Sequence, residues 1–281
     1  MLKITPDEVK VMSKYVADIT GIVLDQNKAY LIENRLGKLA EKLGCSSYSE
    51  LYYKVKSDAS KSIEKKIINA ITTRETLFFR DNSPFELLQH KILPDLIDKR
   101  SGGSSNSVPI GIRIWSAACS TGQELYSIAI TLKELLQDMK GYRIKLFGTD
   151  ISDDAITQAS YGKYNKFEIE RGLPKAKLQK YFTPLDNAWR IKDEIRAMAS
   201  FKKHNLMDSF HSFGKWDIVL CRNVAIYFNL EERKKLFTKI STILEPDGYL
   251  IIGASEYLTG VCPIFEPKRY LKSVFYQVKN S

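Results

Sequence analysis

Along the N-terminal part of the chain, apolar residues recur at three- and four-residue spacing with Lys and Glu between them, the pattern of helices that bury one face. Thr5-Pro6-Asp7-Glu8 supplies an N-cap, a proline at the first helical position and a glutamate that reaches back, so a helix starts there and stops at Gly21. Between Asp25 and Leu43, the residues Tyr30, Leu31, Leu36, Leu39, Ala40 and Leu43 predict a second helix, ended by Gly44. Ser47-Tyr48-Ser49-Glu50 reads as another capping box, and Ile63, Ile67, Ile68 and Ile71 place a further helix between Ser60 and Thr72. Residues 1–72 are therefore expected to form a small all-helical domain. The connecting segment, 73–110, carries one more helical stretch from Pro84 to Asp98 and ends in Ser101-Gly102-Gly103-Ser104-Ser105-Asn106-Ser107, the composition of a flexible linker.

From Gly111 the rhythm changes to short apolar runs alternating with helical stretches, which predicts a parallel sheet covered by helices. The expected strands are Ile112 to Ala117, Ile144 to Gly148, Trp216 to Cys221 and Tyr249 to Gly253, with helices over 122–139, 152–160 and 230–244. Within this larger domain, 111–281, residues 161–205 break the pattern. They hold eleven Lys/Arg against five Asp/Glu and β-like stretches such as Trp189-Arg190-Ile191, and are read as a small appended β-subdomain.

Composition narrows the class only a little. Lys+Arg 43 against Asp+Glu 33 leaves a formal charge of +10, which favours acidic partners without choosing among them. The four cysteines, Cys45, Cys119, Cys221 and Cys262, form no CxxC, and the three histidines form no HxH or HExxH, so neither a metal site nor a disulfide framework is expected. The N-terminus turns charged at once and no apolar run nears the roughly 20 residues of a membrane span. The expectation is a soluble, cytoplasmic chain with no membrane insertion.

Several stretches can carry chemistry. Ile114-Trp115-Ser116-Ala117-Ala118-Cys119-Ser120-Thr121-Gly122-Gln123-Glu124 passes from a strand through small residues into a helix, where a ligand can approach the backbone; plain strand-to-helix packing uses the same residues. Gly148-Thr149-Asp150 ends the next strand on a carboxylate that can accept from both hydroxyls of a ribose, or cap the following helix. Asp217 to Phe228 runs from a buried strand into Arg222, Asn223 and Tyr227, at the sheet edge where open α/β folds bind ligands. Asn223 as a turn former and Tyr227 as a core aromatic are the plain alternatives. The absence of GxGxxG argues against a dinucleotide site.

Taken jointly, TTRETLFFR, WSAACSTGQELYSIA, GTD, HNL, CRNVAIYF and GASE, in this order and spacing, resemble one family, the CheR-type chemoreceptor glutamate O-methyltransferases that use S-adenosylmethionine. The resemblance spans nearly the whole chain. It implies an α/β fold, a Rossmann-like methyltransferase domain with a small β-subdomain insert, preceded by a small all-helical domain. It also implies roles. Thr76 and Arg80 would contact the methionine portion of the cofactor, Arg80 by donating to the methionine carboxylate and as part of the catalytic set. Glu124 would be a cofactor contact, Asp150 would hold the ribose hydroxyls, Asn205 and Leu206 would flank the adenine, and Arg222 and Asn223 would complete the pocket beside the sulfonium. Tyr227 would be the catalytic tyrosine facing the acceptor. Arg74 stands where the family commonly has asparagine, and is assigned to the cofactor pocket as a charged contact that either pairs with the substrate carboxylate or turns to solvent. Ala254 replaces a histidine of many members, and Gln123 replaces an acid.

The implied reaction converts receptor glutamates to methyl esters, leaving S-adenosylhomocysteine, with the helical cytoplasmic domains of methyl-accepting chemoreceptors as partners of a monomeric enzyme. The basic residues Lys61, Lys65 and Lys66 and those of the insert then steer acidic receptor helices, or are simply solvated faces. A nucleic-acid methyltransferase tolerates the same charge, but the Pro-Pro motif of the amino-group enzymes is missing after the strand ending at Cys221. A receptor-docking scaffold that binds the cofactor without turnover is the alternative that Arg74 and Ala254 leave open.

Overall fold

Thr5 caps the first helix as its sequence predicts. Its Oγ1 accepts the Glu8 N–H at 3.3 Å while the Glu8 carboxylate accepts the Thr5 N–H at 3.0 Å, and Pro6 occupies the first turn. A computed structural model describes residues 2–24, 28–101, 109–136 and 138–279; of the expected linker at 101–107 all but Ser101, which ends a helix, lies outside them, as does the expected helix start at Asp25. Four helices follow one another, α1 (Pro6–Thr20), α2 (Ala29–Lys42), α3 (Tyr48–Ser57) and α4 (Ser62–Ile71). Met12, Val16, Ile32, Leu36, Leu51 and Ile67 close a core of their own. At α3 the capping box is only half formed: Ser47 accepts the Glu50 N–H, but the Glu50 carboxylate turns to Ser46 instead. Gly21, in the left-handed region at φ 76°, ends α1 where a Cβ would lie 2.7 Å from Met207 Sδ, so glycine permits both the helix stop and the close approach to the larger domain.

The helical stretch expected after Pro84 is real but interrupted: α5 (Ser83–Leu87), a π-helical turn over Leu88–Ile92, and α6 (Leu93–Ser101) run on continuously. Before it, Phe78 is fully buried and meets the rings of Tyr164 and Phe182 edge-on, so the segment after α4 is anchored in the core.

Among the described residues the main sheet holds seven strands in the order β6-β2-β1-β7-β8-β10-β9. They are β1 (Ile110–Ala117), β2 (Tyr142–Asp150), β6 (Ala199–Lys203), β7 (Trp216–Cys221), β8 (Leu244–Ile252), β9 (Phe265–Tyr270) and β10 (Ser273–Val278). The first five are parallel; β10 runs antiparallel to β8, and β9 to β10, so the sheet is mixed rather than purely parallel. Helices α7 (Gln123–Leu135), α8 (Asp153–Tyr161) and α12 (Leu230–Ile243) lie on the connections. The basic insert does contain a small separate sheet, β3 (Lys163–Asn165), β5 (Ala188–Ile191) and β4 (Phe182–Leu185), with the short helices α9 (Lys166–Glu170), α10 (Lys175–Tyr181) and α11 (Asp193–Arg196). Residues 199–203, read from the sequence as part of that insert, instead pair with β2 as the edge strand of the main sheet.

The chain leaves β1 toward β2 on one side and later returns to place β7 on the other, so a crevice opens at the carboxyl ends of β1 and β7. Among the described residues no helix is long and apolar enough to cross a membrane, no group of three or more His, Cys, Asp or Glu is placed to hold a metal, and all four cysteines are free and buried.

Candidate active site

At the carboxyl ends of β1, β2 and β7 lies a cavity open to solvent on one side. The end of α1 (Thr20 and Ile22) and the segment Thr72–Thr76 form its remaining walls. It brings together the ten residues that the resemblance assigns to catalysis or cofactor binding: Arg74, Thr76, Arg80, Glu124, Asp150, Asn205, Leu206, Arg222, Asn223 and Tyr227 all line it, whereas Gln123 and Ala254 do not.

Its floor is the turn after β1. Ala118 and Ser120 both take left-handed backbone, at φ 62° and 49°, which turns the Ser120 N–H onto Asp150 Oδ2 at 2.9 Å. The other oxygen, Oδ1, accepts the Ser152 N–H at 2.9 Å. Asp150 does not itself cap α8; Ser152 does, by accepting the Ala155 N–H. Burial pushes the Asp150 carboxyl above its ordinary value, opposed by the backbone N–H groups of Ser152, Ser120 and Ile151 and by the charge of Arg74. Two backbone bonds fix the carboxylate and leave it further acceptor sites. The Ser120 hydroxyl beside it has no partner among the described residues.

A buried charge network stands behind the β7 end. Arg222 donates from Nη1 to Glu124 Oε2 at 2.7 Å and from Nη2 to Asp81 Oδ2 at 2.7 Å and the Arg80 carbonyl at 3.0 Å. Glu124 Oε1 accepts the Ser116 hydroxyl at 2.7 Å. The Arg222 side chain is only 2% exposed, so its charge is balanced inside the protein. Arg222 thus lines the cavity with a guanidinium already committed to two carboxylates. Asp81, which the sequence reading missed, sits in a run of left-handed residues, Phe79, Asp81 and Asn82. Arg80 donates one Nη1 hydrogen to the Glu75 carbonyl at 3.1 Å, using a small part of a five-donor fork.

Arg74 is partly exposed and stands 3.7 Å from Asp154 of α8, a loose pair at the cavity edge. Asn205 has both ends of its amide engaged: Nδ2 donates to the Ile19 carbonyl at 3.0 Å and Oδ1 accepts the Met207 N–H at 3.0 Å. Lys239 of α12 reaches under the same loop and donates to the carbonyls of Leu206, Met207 and Asp208 at 2.6, 2.9 and 2.8 Å; burial lowers its pKa. Lys239 was not singled out in the sequence, and the cavity-lining His204 entered only as the first residue of the HNL motif, without a role. The His204 ring lies against Phe213, centroids 4.6 Å apart, and burial lowers its pKa, which favours the neutral ring. Tyr227 ends a 3-10 turn, Ala225–Tyr227, and its carbonyl accepts the Val23 N–H at 2.9 Å. The N-terminal helices and the sheet domain therefore share the wall in which Tyr227 sits.

Two family models match the chain: "CheR methyltransferase, all-alpha domain" over residues 7–72 and "CheR methyltransferase, SAM binding domain" over residues 74–270. Among curated proteins it is similar to Chemotaxis protein methyltransferase Cher2 of Pseudomonas putida, 38% identical over 92% of this chain and 93% of that one. The Chemotaxis protein methyltransferase of Vibrio parahaemolyticus is 36% identical over 99% of each chain. That of Borreliella burgdorferi is 37% identical over 92% of this chain and 91% of its own. With both family models covering nearly its full length, the chain belongs to the CheR methyltransferase family and is an S-adenosylmethionine-dependent methyltransferase of chemotaxis adaptation.

Proposed function

We propose that the acceptor is the side-chain carboxylate of glutamates on the helical cytoplasmic domains of chemoreceptors, and that the protein works in the cytoplasm as a monomer. The observation that carries this reading is the gathering of Arg80, Asp150, Asn205, Asn223 and Tyr227 around one cavity at the crevice of the sheet. These residues suit the cofactor. The fixed Asp150 carboxylate and the unpartnered Ser120 hydroxyl can receive ribose hydroxyls, and Arg80 can pair with the methionine carboxylate. Leu206 and Ile151 give apolar walls for the adenine beside Asn205, whose own amide is held by Ile19 and Met207. Arg74, Thr76, Glu124 and Arg222 complete the enclosure, Glu124 and Arg222 chiefly by holding its shape.

The cofactor supplies an electrophilic methyl group on a positively charged sulfur. A glutamate carboxylate, with an ordinary pKa near 4.3, is already the nucleophile at neutral pH and needs no general base. The task of the protein is placement in a water-poor site, which can contribute several kcal/mol through lost freedom already met in binding. Tyr227 is assigned to orient the acceptor carboxylate by hydrogen bonding. The buried Cys119 and Cys221 thiols are pushed well above their ordinary pKa by burial and stay protonated, which suits them to packing rather than to nucleophilic work.

The test is methyl transfer from labelled S-adenosylmethionine to receptor-bearing membranes. Volatile methanol released by alkali is the expected result. Cofactor binding with no base-labile product would move the assignment to another acceptor or to a scaffold.

A further inference from the structure

The carboxyl ends of the neighbouring strands β7 and β8 are joined beyond their last ladder pair, Cys221 with Ile252, by a side chain. Glu256 Oε2 accepts two backbone N–H groups, from Asn223 and from Gly253, each at 2.7 Å. The Glu256 N–H in turn donates to the Gly253 carbonyl at 2.9 Å, closing a tight turn around the carboxylate. Asn223 is held at φ 57°, left-handed backbone that a non-glycine residue adopts only with support, asparagine more readily than most. Gly253 is the complement: a Cβ there would stand 2.6 Å from Glu256 Oε2 and 2.8 Å from Asn223 Nδ2.

We propose that Glu256 is a positioning residue for methyl transfer, acting through Asn223. Its carboxylate is an added rung of the sheet that fixes the Arg222–Asn223 corner, so that the Asn223 side chain is presented to the cofactor cavity and does not relax to ordinary backbone. The inference rests on the methyltransferase assignment and not on the identity of the acceptor. A charge-assisted acceptor suits the place, because one oxygen satisfies two N–H groups that no other part of the turn reaches. Glu256 itself is not among the cavity-lining residues, so the role assigned to it runs through the Asn223 backbone.

The test is a set of variants measured for S-adenosylmethionine affinity by calorimetry, for turnover, and for melting temperature. Glu256→Ala should lower kcat/KM at least tenfold. Glu256→Gln, whose carbonyl can accept the same two N–H groups, should recover most of that loss, and Glu256→Asp, one methylene short, should not. Gly253→Ala, which wedges the clamp while keeping the carboxylate, should reproduce the loss. The deciding comparison is the double variant: in an Asn223→Ala background, removing Glu256 should cost less than twofold, because its path of action is already gone. Losses that multiply across the two sites, or a Glu256→Ala protein within twofold of the parent, would overturn the proposal. An inactive parent chain that still bound the cofactor would instead indict the acceptor assignment.

Discussion

Arg222 Nη1 lies 2.7 Å from Glu124 Oε2, joining the end of β7 to the first turn of α7. Asp81 takes the other side of the same guanidinium, so three segments far apart in sequence meet on one buried charge. Breaking such a pair from one side leaves an uncompensated charge and typically costs 3–5 kcal/mol. With Asp81 still in place, Glu124→Ala should cost about 3 kcal/mol, or roughly 6–12 °C in melting midpoint. A fall of about 2 °C or less in a thermal melt would show that the network contributes little.

Tyr227→Phe should separate binding from chemistry. It deletes the hydroxyl assigned to the acceptor, so turnover should drop about tenfold or more while S-adenosylmethionine affinity changes less than about twofold. Calorimetry that found cofactor binding abolished would rule out the acceptor role.

Asp150 should govern affinity. Removing an ionised acceptor of two hydroxyls costs about 1.5–3 kcal/mol, so Asp150→Ala should weaken S-adenosylmethionine roughly ten- to hundredfold. Because burial raises the carboxyl in the free protein, it takes up its proton at a higher pH than an ordinary aspartate as the solution is acidified. Affinity should therefore begin to fall above the usual range near 3.9, and an Asp150→Asn protein should lack that acid limb. A parent affinity flat across the acid range would refute the ribose contact.

Asp217 should set part of the acid stability. Burial alone raises its carboxyl, but the side-chain hydrogen bonds from Arg113 and Arg100 outweigh this and hold it below its ordinary value. A depressed folded pKa gives stability that is present above the unfolded value of about 3.9 and is lost as pH falls through the folded one. The stability gap between the parent and Asp217→Asn in urea melts should be widest near neutrality and narrow in strong acid. A gap independent of pH would contradict the ion-pair account.

The helices and central strands were legible because their apolar residues repeat with the periods that burial demands, and because Thr5 and Gly21 mark ends by local chemistry. The strands at 199–203 and 265–270 were missed for the opposite reason. At the sheet edges Ala-Ser-Phe-Lys-Lys and Phe-Glu-Pro-Lys-Arg-Tyr bury few residues, so the first was absorbed into the basic insert and the second carried no strand signal. The ten residues assigned through the family resemblance, each lying on a motif, all line one cavity. Asp81 and Lys239 were not legible, because their work is done on partners distant in sequence: Asp81 meets Arg222 across 141 positions and Lys239 reaches Leu206 across 33. Glu256 ends the GASE motif, but nothing local gave it a role, since its partner Asn223 lies 33 positions away. No local period records such a meeting.

Asn205 Nδ2 on the Ile19 carbonyl, Gly21 against Met207, and the Val23 N–H on the Tyr227 carbonyl make the tail of α1 a structural wall of the cavity. Excising the helices would leave an open trough in place of a smaller enzyme. The helical part of the chain is therefore a component of the cavity and not an appendage to it.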